Sequence, residues 1–409
     1  MERPFAGLSS VLQRWFYKPD LQMIRIVLGT LRAHYLKAGD PTWIFTVAPP
    51  GTGKTTMGIM SAATLPEIIP LGDFTENTFL SGLYGVHNPG MLERLGNTTQ
   101  QGRTYTSEGD AIFLIKDFTT VLTMRREKRA VILSQLREIH DGQFKRDFGT
   151  GESKIWRGRV SIIAAVTPAL DRHYSIFSTL GERFLQVRSH RPDSPEAGKW
   201  AIRQQGHETE IRAECQAAMR ELFGALPSEV PSLSQEFESR LIALAELTAI
   251  ARTHIYRNPF GKREIEYVPE AEANTRISKG LAAIAKGIAS LNRRSEVGLE
   301  DVTDALRVGW DCVPHYRRLL LEAVIQHQSR DSVRIPRTMI DREFEELREL
   351  DLVEPLGIND PVGTGWKLSG RIAQLLAAAG LIPVISALPQ SVRGEGEMPS
   401  QSVRQEGIV

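Results

Sequence analysis

Trp43-Ile44-Phe45-Thr46-Val47-Ala48-Pro49-Pro50-Gly51-Thr52-Gly53-Lys54-Thr55-Thr56 is the stretch from which the rest of the chain is read. Its first five residues form an apolar run, and a helix-compatible run begins near Thr55. Strand, glycine loop, lysine, hydroxyl and helix, in that order, describe a phosphate-binding P-loop. Gly51 and Gly53 let the backbone curl so that the N–H groups of Pro50–Thr56 other than proline converge on phosphate oxygens. The helix N-terminus behind them adds partial positive charge. Lys54 is placed to reach the β- and γ-phosphates, and the Thr55 hydroxyl to ligate Mg²⁺. One position departs from the full pattern: Ala48 stands where the first glycine is usual.

The bulk composition sets outer bounds. The chain has 409 residues, enough for two or three domains, with 41% hydrophobic and 24% charged residues. A net charge of +1 means that any basic surface must be local. Cys215 and Cys312 stand far apart without a CxxC pair, which suits a reducing cytosol and argues against a structural zinc. Met1–Asp20 has no secretory h-region, and no apolar run approaches the ~20 residues of a membrane helix. A cytoplasmic protein without membrane contact is expected.

Five segments follow from the pattern. Residues 1–40 read as an N-terminal helical segment, with Asp20 capping a helix from Leu21 to about Lys37. Residues 41–193 read as an α/β domain with a parallel sheet. Its buried strands are the P-loop run, Ala111–Ile115 and Val160–Val166, with glycine-containing loops expected between Ser81 and Gly109. Residues 194–314 read as an α-helical lid. Residues 315–385 run helix, short helix, helix, hairpin, which is the order of a winged helix. Residues 386–409 are rich in Pro, Gly, Ser, Gln and charge, and are expected to be disordered.

Ligands of parallel α/β sheets gather at the carboxyl ends of strands. Asp117 lies at such an end, after Ile112-Phe113-Leu114-Ile115-Lys116, and Thr167 lies at another. Either residue also has a plain reading: Asp117 as a helix cap, Thr167 as a strand-end threonine before Pro168.

The order of these parts resembles an AAA+ ATPase, within the branch that carries a hairpin before the third strand and includes the minichromosome-maintenance helicases. It is also similar to ATP-binding proteins of phages and mobile elements. The resemblance runs from about Pro41 to Trp310. It implies ATP and Mg²⁺ as ligands and an Asp-Glu pair after the second strand. Here two registers stay open: Asp117 in the Asp place with Phe118 after it, or Lys116 in the Asp place and Asp117 in the Glu place. In either, Asp117 is the residue that matters for metal and water. The resemblance gives Thr167 a sensor role, Arg183 in Leu180-Gly181-Glu182-Arg183-Phe184 the role of an arginine finger from a neighbouring subunit, and Arg276 that of a second sensor in the same subunit. It implies a ring of six.

Local charge gathers at 124–159, where ten basic residues meet five acids. The stretch from Asp141 to Arg159 resembles the DNA-gripping hairpin of such rings, with Lys145, Arg146 and Lys154 as candidate phosphate contacts. In the winged helix the presumed recognition helix, Asp341–Asp351, carries six acids. Arg334, Arg337, Lys367 and Arg371 are the basic residues left to it, and DNA, another protein or a neighbouring subunit all remain open as its partner. The expected function is ATP-driven work on DNA, as a helicase or helicase loader. The alternatives are a protein-remodelling ATPase and a slow ATP-dependent DNA-binding regulator.

If the P-loop assignment holds, Lys54→Ala abolishes ATP binding. Equilibrium titration with a fluorescent ATP analogue checks this, and tight binding retained by the variant would rule the assignment out.

Overall fold

The computed structural model describes residues 4–49, 68–72, 75, 77–80, 90–149, 151–173, 183–189, 194–224, 226–258, 260, 263–326, 333, 335–356 and 365–382. Two helices, α1 (Pro4–Trp15) and α2 (Leu21–Leu36), lead into strand β1 (Trp43–Val47). After β2 (Ile68–Leu71) come a short hairpin, β3 (Thr98–Gln101) and β4 (Thr104–Glu108), and then β5 (Ala111–Ile115). Helices α3 (Thr119–Thr123) and α4 (Arg126–His140) precede a second hairpin, β6 (Gln143–Asp147) and β7 (Ser153–Arg157). Strands β8 (Val160–Val166) and β9 (Phe184–Arg188) complete a five-stranded sheet of order β2-β5-β8-β1-β9. All of its pairings are parallel.

The apolar runs become strands because both faces of the sheet are covered, the condition under which parallel strands lose their polar alternation. Ile44, Ile112, Leu114, Ile163, Leu185 and Val187 point to one core with α2. Trp43, Phe45, Phe113, Ile162, Ala164 and Phe184 point to the other, against Ile132, Leu136 and Ile139 of α4. Each buried Ile, Leu, Val or Phe among them contributes about 1.5–3 kcal/mol.

Asp20 caps α2 as expected, accepting from the Met23 N–H at 2.9 Å, and Lys37 ends the helix in the left-handed conformation. Of the stretch from Ser81 to Gly109 expected to hold glycine-containing loops, residues 81–89 lie outside the described residues, and residues 98–108 form the hairpin β3–β4. Its first strand, Thr98–Gln101, is exposed throughout and offers no hydrophobic period to read. Strand β4 pairs in parallel with β7, so the two hairpins form one four-stranded sheet, β3-β4-β7-β6. Two residues separate β4 from β5, and two separate β7 from β8. The small sheet therefore springs from the amino-terminal edge of the large one.

Helices α5 (Pro195–Arg203), α6 (Glu208–Gly224), α7 (Gln235–Ala251), α8 (Thr275–Leu291) and α9 (Leu299–Asp311) follow. A two-stranded ribbon, β10 (Tyr256–Arg257) and β11 (Ile265–Tyr267), joins α7 to α8. The C-terminal elements are α10 (His315–Ile325), α11 (Arg337–Glu349), an antiparallel hairpin of β12 (Val353–Pro355) and β13 (Trp366–Leu368), and α12 (Gly370–Ala379). Two of the six acids of Asp341–Asp351 turn inward: Glu343 and Glu346 meet Arg317, and Glu346 also meets Arg257. Lys367 pairs with Glu354 at 3.1 Å and Arg371 with Glu246 of α7 at 2.7 Å. Among the described residues no helix is long and apolar enough to cross a membrane. Both cysteines are buried and unpaired with each other.

Helix α2 crosses α8 at a glycine pair. A Cβ on Gly287 would lie 2.0 Å from the Gly29 carbonyl oxygen, and one on Gly29 would lie 2.4 Å from Ile288 Cγ1. Backbone meets backbone there, which docks the helix before the P-loop strand onto the helical segment. Gly287→Ala is expected to cost about 1–3 kcal/mol or more through overpacking. Gly7→Ala, where nothing lies within 4 Å, is expected to be neutral or stabilising. Denaturant midpoints of the two variants check this; equal midpoints would mean the crossing is looser than described.

Candidate nucleotide site

The two edges of the central sheet carry different chemistry. At the carboxyl edge β1 delivers Ala48 directly after the strand, where the Ala48 N–H donates to the Val166 carbonyl at 3.1 Å. On the other side the Ser189 N–H donates to the Val47 carbonyl at 2.9 Å. The segment Pro50, Gly51, Thr52, Gly53, Lys54, Thr55 and Thr56 lies outside the described residues, so its expected phosphate contacts rest on the motif and on the strand that carries it.

Strand β5 ends beside β8, with Ile115 opposite Ala164. The chain then turns, and the Phe118 N–H donates to the Ala165 carbonyl at 2.8 Å. Phe118 is fully buried against Phe45 and Phe184, 5.0 and 5.5 Å between ring centroids. It faces the core, leaving exposed Lys116 and Asp117 as the polar residues at this strand end. Asp117 Oδ1 accepts from the N–H of Thr119, the first residue of α3, at 2.8 Å; the cap position itself is Phe118. Thr167, half-buried, meets the same threonine: its N–H donates to Thr119 Oγ1 at 3.2 Å. Asp117 and Thr167 are thus brought together, and Thr119 is a site residue that sequence reasoning missed. The only signal for it was its place two residues beyond Asp117.

Mg²⁺ bound with a nucleotide takes one or two carboxylates and fills its shell with phosphate and water oxygens. The described residues hold no cluster of three or more His, Cys, Asp or Glu suited to a metal. One exposed carboxylate, Asp117, with the Thr55 hydroxyl of the motif, fits the sparse donor set of a nucleotide-borne Mg²⁺.

Behind this edge lies a buried charge network that the sequence did not suggest, because its partners are far apart in the chain. Arg188, opposite Val47 in register, is buried and grips Asp171 with two hydrogen bonds of 2.8 and 2.9 Å. Its backbone N–H and Nε donate to Asp311 of α9 at 2.8 and 2.9 Å. Asp311 also pairs with Arg318, and Arg307 pairs with Asp20 at 2.7 Å. Burial pushes the Asp171 carboxyl up, but the Arg188 guanidinium outweighs this and holds it below the usual range. His315, beside Asp171, is pushed down to about 4 by burial and then by Arg188, and is neutral at pH 7.

Arg183 and Arg276 are at the other edge. Arg183 precedes Phe184, which pairs with Trp43, the first residue of β1. Both arginines line one recess with Trp43, His140 and Lys279. Arg276 and Lys279 also line an adjoining cleft of about 810 Å³ with Asp40, Asp141 and Arg159. Strand β1 spans roughly 13 Å between the two edges. The expectation that Arg276 serves the P-loop of its own subunit does not fit: it stands with Arg183, at the wrong end of β1. The Arg183 Nη2 donates to both oxygens of Asp141, each at 3.1 Å. His140 packs edge-on against Trp43, and burial followed by the Arg183 charge lowers it to about 4.

The hairpin residues divide. Lys145 is half-exposed and pairs with Asp147 at 3.1 Å. Arg146 instead donates to the Leu80 carbonyl at 2.9 Å and to Asn77 Oδ1 at 3.1 Å. Lys154 is buried and pairs with Glu93 at 2.9 Å. Both tie the hairpin to the preceding segment. Neither reaches a nucleic-acid phosphate without first giving up these partners, so two of the three expected contacts are structural.

No protein-family model matches the chain, and no curated protein matches it. Among solved structures it is similar to a protein described as a "putative ATPase" from Cytophaga hutchinsonii ATCC 33406, at 14% identity and a TM-score of 0.42. The match covers 84% of this chain and 94% of that one. The protein is a mixed α/β fold with a parallel central sheet and many helices.

Lys154→Met strands the Glu93 carboxylate in a buried site and is expected to cost about 3–5 kcal/mol. Lys145→Ala removes an exposed pair and is expected to change stability by about 0–1 kcal/mol. Chemical denaturation of both variants checks the contrast, and similar midpoints would show Lys154 to be dispensable.

Proposed function

We propose that this protein is an ATPase of the AAA+ kind that works as a homo-oligomer, with each nucleotide held between two copies. One observation carries the proposal. The P-loop strand ends beside Asp117 and Thr167 at one edge of the sheet, while Arg183 and Arg276 line a recess at the opposite edge. A site that needs both sets has to be closed by a second copy. A ring lets every copy give one edge and receive the other; six is the number the family resemblance implies.

The chemistry is phosphoryl transfer to water, in which positioning and charge stabilisation do most of the work. The loop N–H groups and Lys54 hold the β- and γ-phosphates. Asp117 accepts a hydrogen bond from the attacking water and orients it. Thr167 donates to the γ-phosphate or to that water. Arg183, on releasing Asp141, and Arg276 of the neighbouring copy meet the charge that develops on the transferred group. Bound Mg²⁺, which Thr55 and Asp117 would hold, supplies further charge neutralisation between the phosphates. On this reading 194–314 acts as the lid and 315–385 as a winged-helix module. Contact with DNA phosphates, if DNA is the substrate, falls to Lys145 and to Arg103, which sits at the exposed turn of the adjoining hairpin.

Subunit mixing tests the arrangement. Lys54→Ala and Arg183→Ala are each expected to lose about 10³-fold or more in ATP turnover. A mixture of the two is expected to recover part of it, since some interfaces pair an intact P-loop edge with an intact arginine edge. Arg276→Ala is expected to be rescued by Lys54→Ala and not by Arg183→Ala. A mixture of Lys54→Ala with Arg183→Ala that stays inactive, or full turnover by Arg183→Ala alone, would overturn the shared site.

A further inference from the structure

Asp117 and Thr167 are joined through a single residue. The Thr119 N–H donates to Asp117 Oδ1 at 2.8 Å. The Thr119 hydroxyl accepts from the Thr167 N–H at 3.2 Å and donates to Thr167 Oγ1 at 3.4 Å. Thr119 is half-buried at the start of α3, and the fully buried Phe118 before it fixes where α3 begins. We propose that Thr119 is a positioning residue for hydrolysis, one that sets Thr167 as a hydrogen-bond donor facing the γ-phosphate and the attacking water. This rests on the function proposed above.

The argument is one of proton count. A hydroxyl has one proton and two acceptor lone pairs. Thr119 receives one hydrogen bond from the Thr167 backbone, and its own proton goes to Thr167 Oγ1. The Thr167 proton then has to point away from Thr119. Thr167 therefore offers a donor, which suits the acceptor-only oxygens of a triphosphate and the lone pairs of water. Without the Thr119 hydroxyl, Thr167 is free to turn its proton inward and present a lone pair to those oxygens instead. The backbone N–H of the same residue anchors one oxygen of Asp117, so one residue holds the acid through its main chain and the donor through its hydroxyl, across two adjacent strands.

Thr119→Val keeps the β-branched shape and removes the hydroxyl; Thr119→Ser keeps the hydroxyl and removes the methyl. With the full-length protein, steady-state ATP turnover, binding of a fluorescent non-hydrolysable ATP analogue and thermal melting are measured for wild type and both variants. Thr119→Val is expected to lower kcat about tenfold or more, in the manner of a lost oriented donor, with KM and analogue Kd within about twofold of wild type. Thr119→Ser is expected to stay within about twofold of wild type in kcat, since it keeps the oriented hydroxyl. Wild-type kcat in Thr119→Val, or equal losses in both variants, would overturn the proposal, as would loss of analogue binding by Thr119→Val. A wild-type protein that binds the analogue without turning over ATP would end the ATPase proposal and this one together. Turnover untouched by Thr119→Val ends this one alone.

Discussion

The parallel pairing of β1 between β8 and β9 is the constraint on which the rest depends. It aligns Trp43 with Ile162 and Phe184 at one edge, and Val47 with Val166 and Arg188 at the other. Because the strands are parallel, every carboxyl end falls on the same side, and a glycine loop leaving β1 must emerge beside the turns after β5 and β8. The same direction sends Arg183 and the start of α8 to the far side. Burial on both faces makes this register costly to change, since a slip by one residue would exchange the two cores.

The carboxyl edge is also where the sheet is held to the helices. Arg188 and Asp311 are both buried, and with Asp171, Arg307, Arg318 and Asp20 they join β9, the segment after Thr167, α9, α10 and the cap of α2. Removing one partner of such a set leaves a buried charge without its counterion, a much larger cost than losing a surface pair. The Gly29–Gly287 crossing docks α2 on α8 by a different means, close backbone approach. Together they make the N-terminal helices part of the helical body and leave the P-loop strand entering the sheet from a fixed direction.

How much of this was legible follows from where the signals sit. The buried strands β1, β5 and β8, the helix after Asp20, and α7, α8 and α9 were readable because each buries a continuous or periodic set of side chains. The hairpin at 143–157 was readable from its glycines and charge, but its partner at 98–108 was not, since Thr98–Gln101 has no buried face. Strand β9 was hidden inside a segment read for its arginine alone. For Arg146 and Lys154 the sequence shows cationic side chains and not what they touch; Asn77, Leu80 and Glu93 lie more than sixty residues earlier. Arg276 was misplaced for a related reason: position along a helix does not tell which sheet edge that helix meets. Thr119 was overlooked because a threonine in a first helical turn is ordinary until its neighbour on the next strand is known.

The joined hairpins have a mechanical consequence. Strand β4 continues into β5 and β7 into β8 with only two residues between, and the two pairs run side by side in the same direction. A pull on the hairpin turns is therefore a pull along the axes of β5 and β8. The hydrogen bonds that tie β5 to β2 and β8 to β1 are then loaded in shear, all at once, rather than unzipped one by one. The line of force runs the length of both strands and ends where Asp117, Thr119 and Thr167 meet. Tension at the tips and the spacing of those three residues thus share one axis of the molecule, and Lys154, clamped to Glu93, ties the turn end of β7 to the segment before β3.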